Sequence, residues 1–71
     1  MARCKMKIRS KTEFDDGLAN VHMEVTAEGD ENKAFFKNFP NGYMDLNSVS
    51  PEVAKELETG KEYYIDIVRV K

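Results

Sequence analysis

Residues 3–11 read RCKMKIRSK, with Arg3, Lys5, Lys7, Arg9 and Lys11 at every second position and Cys4, Met6, Ile8 and Ser10 between them. On a strand, where successive side chains point to opposite faces, this spacing sets five cations on one side and a mostly apolar row on the other. A line of cations can neutralise phosphates. A second stretch mixes cations with rings: Lys33, Phe35, Lys37 and Phe39 share one face at strand spacing, and Phe36 takes the other. Bases stack on aromatic side chains while ammonium groups hold the backbone, which is the chemistry of single-stranded nucleic-acid binding. The candidates for it are Lys7, Lys11, Lys33, Phe35, Lys37 and Phe39. The same aromatics, grouped as Phe35, Phe39, Tyr43 and Tyr64, would serve a protein contact, where exposed apolar patches and aromatic residues are enriched. Protein contact is favoured, because no glycine pattern of an RNA-recognition strand accompanies the rings.

Other chemistry finds less support. His22 is the single histidine, next but one to Glu24, and its phase does not build a catalytic dyad; it reads as a surface residue. Cys4 is the single cysteine, which leaves no internal disulfide and no multi-cysteine zinc site. Arg3 and Lys5 beside it would favour a thiolate, but no base is placed to support a nucleophile, so a small buried apolar role is expected. The carboxylates show no spacing for acid–base work or a calcium loop, and Asp15-Asp16-Gly17 is turn chemistry. The expectation is a non-enzymatic protein with no metal and no cofactor.

Composition sets the frame for these residues. Seventy-one residues make one small domain near the lower limit for a self-sufficient core, so gains from oligomerisation or a partner are expected. The net charge of −2 lacks the basic excess of a general nucleic-acid binder. Charge is nonetheless uneven: residues 1–11 hold five cations and no acid, while 12–71 hold six cations against thirteen acids, a net of −7. No apolar run reaches the length of a membrane span or a signal-peptide core, and the reading is a soluble protein made in a cytoplasm.

The elements that must position the cations begin with a hairpin. Residues 18–28 alternate strictly: Ala19, Val21, Met23, Val25 and Ala27 on one face, Asn20, His22, Glu24, Thr26 and Glu28 on the other. Residues 2–14 have the same period, and Asp16-Gly17 suits a two-residue turn between the two strands. That turn would pair Ile8 with Val25, Met6 with Ala27, Thr12 with Val21 and Phe14 with Ala19. Across the polar side it would set Arg9 against Glu24, Lys5 against Glu28 and Arg3 near Asp30, leaving Lys7 beside Thr26 and Lys11 beside His22. On this reading, cross-strand acids neutralise three of the five cations. Lysines on an edge strand would also deter aggregation.

Residues 29–32 read as a loop, and Pro40-Asn41-Gly42 suggests a second hairpin pairing Phe39 with Tyr43, Lys37 with Asp45 and Phe36 with Leu46. A short helix over about 51–59 is signalled by Ser50 as N-cap, Pro51 at the first helical position, Glu52 in the first turn and Gly60 as stop. Val53, Ala54 and Leu57 form its inner stripe. A last strand follows, with Tyr63, Ile65 and Ile67 on one face, and Val68 and Val70 on the other through a bulge or two-sided burial. The fold class is β-rich α+β: an antiparallel sheet or small barrel of about five strands, in the order β-β-β-β-α-β.

The stretches ENKAFFKNFPNGYMDL and PEVAKELETGKEYYIDIV together resemble a group of small, uncharacterised tailed-bacteriophage proteins across about residues 31–66. In that group an Asn-Lys-aromatic-Lys stretch leads to a Pro-x-Gly turn, a Pro-Glu helix and a Gly-Lys-Glu-Tyr-Tyr strand. The resemblance implies a phage origin, in the bacterial host cytoplasm or the virion, and carries over no functional residue. The leading expectation is a non-enzymatic phage protein working through protein contacts, as a virion (capsid or head-associated) accessory subunit or a host-factor inhibitor. The alternatives are a small single-stranded nucleic-acid-binding β-barrel and a nucleotide-sequestering sponge. The partner would be a phage or host protein or a second copy; no membrane is expected.

Overall fold

The computed structural model describes residues 2–71. In chain order they form β1 (Ala2–Glu13), β2 (Ala19–Val25), α1 (Asp30–Phe35), β3 (Tyr43–Val49), α2 (Pro51–Ala54) and β4 (Glu62–Ile67). The strands make one antiparallel sheet in the order β3-β2-β1-β4. The fold is therefore β-rich and antiparallel with a short helix after the third strand. It is neither five-stranded nor closed, because β3 and β4 remain as free edges.

The missing strand is the one assigned to residues 33–39. Asp30–Phe35 is a helix instead, with Asp30 and Glu31 in its first turn and Lys33 in its last, which complements the helix dipole. The second hairpin therefore does not form, and Phe39–Tyr43, Lys37–Asp45 and Phe36–Leu46 are not strand pairs. β3 pairs with β2, placing Asp45 opposite His22 and Met44 opposite Met23.

The first hairpin forms in a different register. Phe14 N–H donates to the Leu18 carbonyl and Gly17 N–H to the Phe14 carbonyl, each at 2.9 Å. The loop is thus Asp15-Asp16-Gly17, a type I turn closed by a glycine at φ 88°. That extra residue shifts the partners by one, so Thr12 faces Asn20 and Lys11 faces Val21. A bulge between Ile8 and Ser10 then shifts them again, giving Ile8–Met23, Lys7–Glu24 and Met6–Val25. The bulge keeps both halves of β1 useful: Cys4, Met6 and Ile8 stay on the core face before it, and Lys11 moves to that face after it.

α2 is shorter than the 51–59 assigned from its caps. Ser50 accepts from Val53 and Ala54 N–H through its carbonyl, not its side chain, and the chain continues through turns at Glu56 and Leu57. Of its inner stripe Ala54 is buried and Leu57 packs on the core, while Val53 is exposed. In β4, Tyr63 and Ile65 pack on the core as the alternation requires. Ile67, Val68 and Val70 are instead exposed at 56%, 65% and 90%, with no two-sided burial.

The core is one face of the sheet: Cys4, Met6, Ile8, Val21 and Met23, with Val25, Phe36, Met44, Val49, Leu57, Tyr63 and Ile65 packed around them. The molecule is a slab of 41 × 32 × 15 Å. Its radius of gyration of 13.2 Å exceeds the roughly 11 Å of a compact chain of this length.

Candidate functional site

The polar face of the sheet carries Arg3, Lys5 and Lys7 of the cations singled out in the sequence, and the topology decides what they meet. β4, the last strand, lies beside β1, the first, and supplies most of the counter-charges. Arg3 binds Asp66 through two hydrogen bonds at 2.6 and 3.1 Å and lies 4.5 Å from the centre of the Tyr64 ring. The hydrogen bond and charge of Asp66 hold the guanidinium pKa above its ordinary value, and Arg3 in turn lowers that of Asp66. Lys5 Nζ lies 3.8 Å from Glu62, not opposite Glu28. Arg3 has Asp66 rather than Asp30. Arg9 does sit 3.4 Å from Glu24, although the bulge, not direct pairing, brings it there.

His22 is more than a surface residue. Its Nδ1 lies 2.5 Å from Asp45 on β3 and its Nε2 2.9 Å from Glu24 on its own strand, so the ring ties β2 to β3 through Asp45 while Glu24 holds its other nitrogen. The hydrogen bond to Asp45 chiefly, then that to Glu24, raises its pKa and favours the imidazolium that donates from both nitrogens. Tyr43 stands beside it with ring centres 5.7 Å apart. With each nitrogen engaged by a carboxylate, the charged form of the ring is favoured and both nitrogens already have partners. Sequence reasoning missed this because Asp45 arrives from β3, whose pairing with β2 is non-local.

Lys11, a candidate phosphate contact, faces the other way: its Nζ donates to the Ala54 carbonyl at 2.6 Å, at the end of α2. Of the six nucleic-acid candidates, Lys33, Phe35, Lys37 and Phe39 lie on α1 and the segment after it, not on a strand face, and all four are exposed. Lys7 lies apart from them on β1, between Glu24 and Glu62 in the sheet. The protein-contact set also divides. Phe39 is 85% and Tyr43 70% exposed, at either end of the loop that enters β3. Phe35 packs its ring 4.8 Å from Phe36. Tyr64 lies on β4, where its hydroxyl donates to Glu31 at 3.1 Å. The hydrogen bond from its own backbone N–H and that from Tyr64 lower the Glu31 pKa.

Cys4 is buried beneath this face at 2% exposure, and burial raises its thiol pKa, which keeps it protonated. Among the described residues no group of three His, Cys, Asp or Glu side chains is arranged to hold a metal ion. A pocket of about 220 Å³ lined by Lys5, Glu62, Tyr63 and Tyr64 is smaller than the roughly 300–1,000 Å³ clefts that enclose small ligands. Among the described residues no helix is long and apolar enough to cross a membrane. Comparison of the chain with protein-family profiles, with curated proteins and with solved structures gives no match.

Proposed function

We propose that this chain is a non-catalytic protein that acts by protein–protein contact, as tailed-phage virion accessory subunits and host-factor inhibitors do. One observation carries the reading. Among the described residues ten large apolar side chains are exposed, against seven buried hydrophobic residues of which three are alanine or cysteine. Exposed apolar side chains in such number favour a contact surface where they gather into a patch, as Phe39 and Tyr43 do at the ends of one loop. Within the N-terminal run of cations, Arg3, Lys5 and Arg9 have acidic partners, which takes three of its five charges away from a phosphate-binding stripe.

The test is retention of purified virion proteins and host proteins on the immobilised chain, beside a Phe39→Ser/Tyr43→Ser variant. The expected result is one partner held by the wild type and released by the variant. No retained partner, together with a strictly monomeric chain, would sink the proposal. Binding of a single-stranded oligonucleotide that weakens steeply with salt would favour the nucleic-acid reading instead.

A further inference from the structure

We infer that the free edge of β4 pairs antiparallel with β4 of a second copy, joining two sheets into one of eight strands. The inference goes beyond the contact reading above and adds a second copy at the sheet edge opposite the β3 strand that carries Tyr43. The first support is area. The chain exposes 5464 Å², against about 4,500 Å² for a compact monomer of 8.2 kDa. The surplus of roughly 900 Å² matches the about 800 Å² that each partner contributes to a standard interface.

The second support is the contrast between the two edges. β3 is broken as a template: its pairing with β2 shifts between Ala19 and Val21, Ser48 has φ 57°, and the Asn20 side chain takes the Ser48 N–H. β4 runs from Glu62 to Ile67 in unbroken register and carries none of the proline, lysine or bulge that guards a free edge. Its two acids are already occupied by Lys5 and Arg3. Beyond it, Val68 and Val70 are exposed apolar residues with no strand partner among the described residues.

The register follows from which backbone groups point outward. Ile8 N–H donates to the Lys61 carbonyl, so residues 61, 63, 65 and 67 direct their backbone groups to β1. Glu62, Tyr64 and Asp66 direct theirs outward, and an extended tail would add Val68 and Val70. A two-fold axis at Ile67 sets Ile67 against its own copy, Tyr64 against Val70 and Asp66 against Val68, with no like charges opposed. An axis at Asp66 would oppose two carboxylates, and one at Ile65 would oppose Lys61 and Arg69.

Sedimentation of the full chain across concentration is expected to show twice the 8.2-kDa mass. Val68→Asp places a second carboxylate opposite Asp66 of the other copy and should raise the dimer dissociation constant about tenfold or more, whereas Val68→Lys should not weaken it. In a Cys4→Ala background, Ile67→Cys should cross-link on oxidation well before Phe39→Cys, because directly opposed residues meet disulfide distances. A monomer at every concentration, equal effects of the two Val68 variants, or no preference for the Ile67→Cys cross-link would overturn the pairing. A monomer that still retains a heterologous protein overturns the pairing and leaves the contact reading standing.

Discussion

Asn32 hydrogen-bonds both backbone groups of Lys5: its Oδ1 accepts from Lys5 N–H at 2.6 Å, and its Nδ2 donates to the Lys5 carbonyl at 2.9 Å. The same Nδ2 donates to the Thr26 carbonyl at 2.7 Å. The side-chain amide thereby extends the β1–β2 ladder past Val25, where β2 ends, and fastens α1 to the sheet. Asn32 is fully buried and no buried side-chain polar atom among the described residues lacks a partner. Asn32→Ala should cost about 2–4 kcal/mol, since each buried group left unpaired costs roughly 1–3 kcal/mol. Urea denaturation measures it; a loss below about 1 kcal/mol would show that water replaces the amide.

His22 predicts a pH dependence. Its folded pKa is raised above the ordinary 6.5 by Asp45 and Glu24. Its contribution to stability is therefore complete below that value and fades as pH rises through the folded pKa. The urea midpoint of the wild type should fall relative to His22→Asn across that interval. An NMR titration placing His22 at or below 6.5 would contradict the clamp between β2 and β3.

Lys11 and Lys7 should behave differently although both belong to the same run of cations. Lys11→Met removes the bond to the Ala54 carbonyl and should lower stability by about 1 kcal/mol, at the low end for a half-exposed charged donor. Lys7→Met should stay within about 0.5 kcal/mol. Equal thermal shifts for the two would mean that Lys11 does not hold α2.

Gly17 and Gly60 both have φ 88°, but their surroundings differ. A Cβ at Gly17 would lie 3.0 Å from Pro51 Cγ, whereas one at Gly60 meets nothing within 4 Å. Gly60→Ala should cost about 1 kcal/mol from backbone strain alone, and Gly17→Ala more, because the turn also packs on the start of α2. Gly60→Ala proving the worse of the two in denaturation would reverse this account.

The sequence made some of this legible. Strict alternation in residues 2–14 and 18–28 located β1 and β2 and their buried faces, because periodicity is a local signal. It did not give the register. Asp15-Asp16-Gly17 accommodates a two- or three-residue loop, and the bulge at Arg9 leaves no mark in the alternation. The Arg9–Glu24 pair emerged even so, since a long side chain spans one step of register. α1 was hidden by the run of aromatics in residues 35–39, although Asp30, Glu31 and Lys33 were its charge signature. The pairing of β1 with β4 joins residues some sixty apart, which local patterns cannot encode. A hint lay in the order Glu62, Asp66 against Lys5, Arg3, readable only once an antiparallel pair is assumed. The candidate site suffered most, because Lys33, Phe35, Lys37 and Phe39 were grouped by a strand that is a helix up to Phe35 and a loop beyond it.

The placement of β1 between β2 and β4 has a consequence for synthesis on the ribosome. The β1–β2 hairpin has all its residues once Val25 has emerged, but the other flank of β1 waits for residues 62–67. At about 5–20 residues per second, that is a delay of a few seconds during which Cys4, Met6 and Ile8 sit in a half-covered strand. A nascent chain in this interval presents a sticky template to its neighbours on the same polysome, and holdase chaperones would find it there.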